Sequence, residues 1–135
     1  MVEITIDYQG ELHCEAQHGP SGSSLSTDAP VDNEGRGESF SPTDLLATSL
    51  GSCMATIMGI AARRKEVDLQ GMTLSVSKEM SAEPPRRVVR LAVTINMPLP
   101  EDHPEAAMLQ GAAMGCPVFR SIHPDIDVPV VWNWK

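Results

Sequence analysis

The stretch 41-SPTDLLATSLGSCMATIMGIAARRK-65 decides the fold, because it predicts one long apolar helix. We expect Ser41 at the N-cap, Pro42 at the first helical position, and the Asp44 carboxylate reaching back to the cap. The cations 63-RRK-65 stand at the carboxyl end, where the helix dipole favours them. Apolar residues cover more than one face of this helix, which is typical of a buried helix.

Two hairpins are predicted, one before the helix in the sequence and one after it. Residues 2–8 and 11–16 alternate around a Gln9-Gly10 turn, and residues 72–80 and 87–97 alternate around a polar turn. A third strand is expected at 25–28. A second helix is expected from 104 to 114 with Asp102 as its cap and Gly115 at its end, and a last strand at 128–132.

This order of elements predicts a single α+β domain covering residues 1–135, with antiparallel sheets packed around a long buried helix. A helix so apolar needs more cover than two short hairpins supply. We therefore expect a homodimer in which the helix packs between sheets of both chains.

Charge and hydropathy exclude several classes of partner. Ten basic residues against eighteen acidic ones give a net charge of −8, which argues against nucleic acids and anionic membrane surfaces. The N-terminus MVEITIDYQG lacks the features of a signal peptide. No apolar run is expected to be long enough to cross a membrane, since the longest one is interrupted by Thr48, Ser49, Ser52 and Thr56. A cytoplasmic location is expected.

Three cysteines without close pairs do not form the disulfide framework of a secreted domain. Cys53 lies in the long helix, where a thiol is either small core filling or a reactive group with Ser49 and Ser52 beside it. Cys116 precedes Pro117 and is expected to cap a new short helix, which would lower the pKa of its thiol. Cys14 is interpreted as core filling.

Metal and cofactor sites have little support in the sequence. The histidines follow no ligand spacing, and there is neither a phosphate-binding glycine loop nor a nucleophile elbow. We therefore expect no metal and no cofactor. The four histidines are His13, His18, His103 and His123.

Two motifs together carry a resemblance to a known family. The run 41-SPTDLL-46 leading into 50-LGSC-53, followed by 115-GCPVFR-120, resembles the OsmC/Ohr family of osmotically inducible and organic hydroperoxide resistance proteins. The resemblance covers nearly the whole chain. It implies an intertwined homodimer that reduces organic hydroperoxides, with Cys53 as the peroxidatic thiol and Cys116 as the resolving thiol. It also implies that a dithiol reductant restores both thiols.

The chain departs from the hydroperoxide reductases of that family at the group that activates the thiol. Those members use an N-terminal arginine held by a glutamate ten residues before the first cysteine, where this chain has Thr43. Arg36 is the earliest cation, Asp44 is the nearest carboxylate, and Arg120 is the second candidate for the cation. Phe119 stands where many relatives of the less-characterised branch have histidine, and the chain resembles that wider OsmC-like branch.

Three functions stay open at this point. The first is hydroperoxide reduction through Cys53 and Cys116. The second is a non-catalytic OsmC-like protein that binds a hydrophobic small molecule, which the missing N-terminal arginine favours. The third is a redox sensor whose thiol is oxidised without turnover.

Overall fold

Three N-terminal strands form an antiparallel sheet in the order β1-β2-β3. β1 is Ile4–Tyr8, β2 is His13–His18 and β3 is Ser24–Asp28. The computed structural model describes residues 1–135, and this sheet belongs to the first of two units, Met1–Leu46; the second is Ala47–Lys135. The predicted hairpin and third strand are confirmed, and the single-domain interpretation stays a prediction.

The β1–β2 turn is longer than the two residues predicted. Gly10, Glu11 and Leu12 all have left-handed backbone conformations, with φ of 82°, 55° and 60°. The Gln9 N–H donates to the His13 carbonyl at 2.9 Å and closes the turn. Three successive residues of this turn therefore adopt a conformation that favours glycine, but only Gly10 is a glycine.

The long helix, α1, runs from Pro42 to Arg64, as predicted. The Asp44 N–H donates to the Ser41 hydroxyl at 3.0 Å, and the Ser41 N–H donates to the Asp44 carboxylate at 2.9 Å. This reciprocal pair is a capping box, and such a cap stabilises a helix by about 1 kcal/mol. The predicted roles of Ser41 and Asp44 at the helix start are confirmed.

In a single chain α1 is buried along one stripe only. Residues at helical spacing form this stripe, namely Ala47, Leu50, Gly51, Met54, Met58 and Ala62. Ile60, on another side of the helix, is 45% exposed. The helix therefore has a buried stripe and an exposed side made of Thr48, Ser52, Thr56 and Ile60.

The prediction that no segment is long and apolar enough to cross a membrane is also wrong. The 23 residues of α1 contain a window with a mean hydropathy of 1.7, because scattered serines and threonines lower the hydropathy only slightly. One such helix is weak support for a membrane span, since the core helix of a globular protein has the same length and composition.

The second sheet has the order β4-β5-β6, with β4 at Thr73–Met80, β5 at Val88–Asn96 and β6 at Val130–Asn133. β4 and β5 form the predicted antiparallel hairpin, but β6 pairs with β5 in parallel. A parallel neighbour needs a long crossover connection, which the two helices between β5 and β6 provide. The sheet is therefore mixed rather than purely antiparallel.

Two helices make up this crossover: α2 at Ala106–Met114 and α3 at Pro117–Ser121. Gly115 ends α2 as predicted, but Asp102 does not cap it. Glu105 is the N-cap without a capping side chain, and its N–H donates to Nδ1 of His103 at 3.1 Å. The prediction of Asp102 is wrong because the helix begins two residues later than the sequence pattern suggested.

The core of the second unit draws its fully buried side chains from α1, β5 and α2. Alternate residues of β5 point inward, as the period of a strand requires. The largest completely buried members are Leu50, Met54, Met58, Leu91, Ile95 and Leu109. The core of the second unit therefore consists mainly of aliphatic and methionine side chains, with little contribution from aromatic rings.

Gly51 marks the closest approach between α1 and β4. A Cβ atom at this position would lie 2.9 Å from Cγ2 of Val76. We expect Gly51→Ala to lower the free energy of unfolding, because overpacking costs about 1–3 kcal/mol while alanine gains only about 1 kcal/mol of helix propensity. Urea denaturation followed by circular dichroism measures the difference.

Gly59 on the same helix is the matched control. A Cβ atom there meets nothing within 4 Å. Gly59→Ala is therefore expected to keep the propensity gain and to raise the free energy of unfolding by up to about 1 kcal/mol. Equal stability of the two variants would show that the contact with Val76 does not constrain the helix.

Candidate active site

Cys116 is the N-cap of α3, and Pro117 occupies the first position of that helix, as the sequence predicts. Sγ of Cys116 accepts a hydrogen bond from the Phe119 N–H at 3.3 Å. The residue has no exposed surface in the structure. A buried sulfur is thus held by a backbone donor at the start of a helix.

The pKa of the Cys116 thiol is raised rather than lowered, so the predicted direction of its net shift is wrong. Burial is the largest cause, because a thiolate loses its hydration in a dry site. The Phe119 and Val118 N–H groups act in the opposite direction but do not outweigh burial. The Cys116 thiol is therefore neutral at pH 7, and it contributes a loss of folding stability as the pH rises from the ordinary thiol pKa towards the raised one.

Cys53 lies on α1 and is only half-buried. Its side chain lies beside the Cys116 thiol and contributes to the raised pKa of Cys116, through a hydrogen bond and through charge repulsion when both sulfurs ionise. Both cysteines are free. Two thiols that are 63 positions apart in the sequence thus form a pair, with one sulfur partly exposed and the other fully buried.

The hydroxyl group of Ser52, which the sequence places beside Cys53, bonds the helix backbone. It donates to the Ser49 carbonyl at 3.4 Å, and the Thr56 hydroxyl donates to the Ser52 carbonyl at 2.8 Å. Hydroxyl groups within helices commonly make such bonds to the preceding turn.

The charged side chains that were predicted to act on the Cys53 thiol lie in two places. Arg36 and Asp44 belong to the first unit, and Arg120 lies at the end of α3. The Arg36 guanidinium pairs with the Glu11 carboxylate at 3.9 Å, with both side chains largely exposed. The Asp44 carboxylate holds the α1 cap, and Arg120 is an exposed residue in the last turn of α3. Catalytic roles for Arg36 and Asp44 stay predictions.

Comparison with known proteins identifies the family of this chain. The sequence profile of the OsmC-like proteins matches residues 35–131, which include both cysteines of the pair. The chain belongs to the OsmC-like family. The resemblance that the two cysteine motifs indicated is thereby confirmed. A search of curated protein sequences found no significant match.

Solved structures show the same OsmC-like fold. A protein from Psychrobacter arcticus 273-4, named for osmotic stress induction and a detoxification response, is 47% identical over 98% of this chain and 96% of its own, with a TM-score of 0.91. An organic hydroperoxide resistance protein OsmC from Legionella pneumophila is 18% identical over 98% and 96%, with a TM-score of 0.78. A Vibrio cholerae protein named for organic hydroperoxide resistance, with captopril in one of its active sites, is 19% identical over 98% and 91%, with a TM-score of 0.78.

The predicted N-cap position of Cys116 in this OsmC-like protein implies backbone N–H donors, and the structure shows which residues supply them. The N–H groups of Val118 and Phe119 both favour the ionised form of the Cys116 sulfur. Placing Cys116 at the N-cap and Pro117 next to it already fixed the third helical residue, which is Phe119. Its N–H is the group that an N-cap side chain binds, so the signal was present in the sequence.

The remaining candidates on β2 belong to the first unit. Cys14, on β2, is half-buried, with Tyr8 and Thr27 opposite it in the sheet. His13, beside it, bonds the buried Asp28 carboxylate at 2.7 Å. No group of three or more His, Cys, Asp and Glu residues is arranged to hold a metal ion.

Proposed function

We propose that this OsmC-like protein is a thiol-dependent peroxidase that reduces organic hydroperoxides through Cys53 and Cys116. The observation that carries the proposal is the pairing of the half-buried Cys53 with the buried, neutral thiol of Cys116. The names of the Legionella and Vibrio structures, which refer to organic hydroperoxide resistance, support the substrate class.

The chemistry requires two different sulfurs. The Cys53 thiolate attacks the distal oxygen of the hydroperoxide, the O–O bond breaks, and the alkoxide leaves and takes up a proton to become an alcohol. Cys53 is then a sulfenic acid. The Cys116 sulfur attacks the Cys53 sulfur, water leaves, and a Cys53–Cys116 disulfide forms. A dithiol reductant returns both residues to thiols by exchange and becomes a disulfide itself.

The difference in burial between Cys53 and Cys116 suits the two residues to these steps. The peroxide must reach the attacking sulfur, and Cys53 is the more accessible of the two. The resolving sulfur must be spared from peroxide, and a neutral, buried thiol is a poor nucleophile towards it. The raised pKa of Cys116 therefore favours Cys53 as the residue that reacts first.

Arg36 is our candidate for the cation that stabilises the Cys53 thiolate, and Asp44 for the carboxylate that supports it. The pair between Arg36 and Glu11 is exposed, and exposed ion pairs are worth about 0–1 kcal/mol. The guanidinium can therefore exchange Glu11 for another anion at little cost. Asp44 supports the site by fixing the start of the helix that carries Cys53.

The proposal is tested by following peroxide consumption with cumene hydroperoxide and a dithiol reductant. We expect many equivalents of peroxide to be consumed per chain, and a Cys53–Cys116 disulfide when the reductant is left out. Oxidation that stops after one equivalent in the presence of the dithiol would indicate a redox sensor instead. Absence of any thiol oxidation would favour the ligand-binding alternative.

We also propose that the protein is a homodimer. The exposed Ile60 on α1 supports this, as does the exposed apolar row along β1. Exposed apolar surface of this extent is typical of an interface. The row consists of Ile4, Ile6 and Tyr8 on β1 and of Val2 just before it, each more than half exposed.

Ile60→Glu is expected to dissociate this dimer without unfolding the chain. A charge buried at an interface without a partner costs several kcal/mol, so the dimer dissociation constant should rise at least about 100-fold. Sedimentation velocity at micromolar concentration measures the change. Ala82→Glu, in the exposed β4–β5 turn, adds the same charge and should leave the dimer intact. A wild-type monomer at this concentration would contradict the proposal.

A dithiol reductant and a cytoplasmic location complete the proposed function. Repeated turnover needs a compartment in which thiols are kept reduced, and the cytoplasm provides it. The three free thiols of the chain are compatible with that environment. No metal or cofactor takes part in the proposed cycle, because both redox equivalents reside on the cysteine sulfurs.

A further inference from the structure

We propose that the dithiol reductant opens the Cys53–Cys116 disulfide by attacking Sγ of Cys53, with Cys116 as the leaving group. This inference rests on the proposed peroxidase function and adds the direction of the regenerating step. In this step the Phe119 N–H binds and positions Sγ of Cys116, the departing sulfur.

Access favours attack at Cys53. A thiolate displaces a sulfur from a disulfide along the line of the S–S bond, so it must approach the sulfur that it attacks from outside. Cys116 has no exposed surface, whereas Cys53 is half-buried. An external thiol therefore reaches Sγ of Cys53 first.

The surroundings of Cys116 suit a leaving group. Sγ accepts the Phe119 N–H at 3.3 Å, and Val118 contributes a second backbone donor. These donors stabilise the negative charge that the departing sulfur carries in the transition state. Burial then favours the neutral thiol, so the sulfur takes up a proton after leaving and becomes a poor nucleophile for the reverse reaction.

Reduction of the disulfide takes place in two thiol–disulfide exchanges. The reductant thiolate bonds to Sγ of Cys53, the Cys53–Cys116 bond breaks, and Cys116 leaves with the electron pair and is protonated. The second thiol of the reductant then attacks its own sulfur in the mixed disulfide. Cys53 leaves as a thiolate, and the reductant becomes a cyclic disulfide, so two electrons pass from reductant to protein.

A monothiol isolates the first exchange, because it has no second thiol to complete the cycle. The wild-type protein is oxidised with diamide, freed of oxidant, and exposed briefly to 2-mercaptoethanol. Acid then stops the exchange, and N-ethylmaleimide labels the free thiols in denaturant. Trypsin separates the three cysteines into peptides 1–36, 37–63 and 91–120, and mass spectrometry locates the mercaptoethanol adduct.

We expect the adduct on peptide 37–63 at least tenfold over peptide 91–120, with the maleimide on Cys116. The same experiment in denaturant is the control, since both sulfurs are then accessible and the preference should disappear. 2-Mercaptoethanol is a small probe, which gives the buried sulfur its best chance to react. An adduct chiefly on Cys116, or equal amounts on both peptides in the native protein, would overturn the proposal.

Diamide forms the disulfide without peroxide, so the position of the adduct can be measured whether or not the protein reduces peroxides. If peroxide fails to form the disulfide but diamide forms it, the peroxidase proposal fails and the position of the adduct still decides the direction of opening. If diamide also fails to join Cys53 to Cys116, the direction of opening is overturned as well, because the bond it describes does not form.

Discussion

Cys53→Ser is expected to abolish peroxide reduction, with a loss on the order of 10³-fold or more, since the variant lacks the reacting nucleophile. A serine hydroxyl is protonated at neutral pH and does not attack the O–O bond. Consumption of cumene hydroperoxide with a dithiol present measures the loss. Turnover that survives the substitution would remove Cys53 from the mechanism.

Cys116→Ser separates the two halves of the cycle. Serine is a favoured N-cap residue, so the substitution retains the cap of α3 while it removes the resolving sulfur. We expect this variant to consume about one equivalent of peroxide and then stop, with Cys53 left as a sulfenic acid or oxidised further. Dimedone labelling detects the sulfenic acid.

Cys14→Ser is the matched control for both substitutions. Cys14 is also a free, half-buried thiol, but it lies in the N-terminal sheet of the first unit. The proposed cycle does not use it, so its replacement should leave turnover unchanged within about twofold of the wild-type rate. A large loss in this variant would show that a third sulfur takes part.

Local rules predicted the elements of this protein well. The capping box at Ser41 and Asp44 and the N-cap at Cys116 depend on residues three or fewer positions apart, and the structure has both. Alternation of apolar residues located the strands within a few positions. Such features are readable because each is determined by its nearest neighbours in the chain.

Features that depend on tertiary context were not predictable in the same way. β6 pairs with β5 in parallel because of the direction in which the crossover helices lead the chain back to the sheet. The residue pattern of 128–132 contains no information about that direction. The pKa of Cys116 follows the same logic: capping is local and was predicted, whereas burial is tertiary and decides the direction of the shift. The proximity of Cys53 and Cys116 entered only through the resemblance to a family.

The second large effect is expected from Leu50→Ala, one turn before Cys53 on α1. Leu50 is completely buried, and truncation of such a leucine costs about 2–5 kcal/mol, a large share of the roughly 5–15 kcal/mol that stabilises a typical domain. Urea denaturation measures this loss. Val131→Ala, at a residue 54% exposed on β6, is the control and should cost at most about 1 kcal/mol.

The same variant tests whether Cys116 is protected by the fold. If N-ethylmaleimide reaches the buried sulfur only when the structure opens, its alkylation rate follows the population of the open form. A loss of 2–5 kcal/mol should then accelerate the labelling of Cys116 by about 30-fold to several thousand-fold, since each 1.4 kcal/mol is a factor of ten. Labelling of the half-buried Cys53 should change far less. Equal acceleration at both sulfurs would mean that burial does not distinguish them, and the order of reaction argued from burial would then lose its basis.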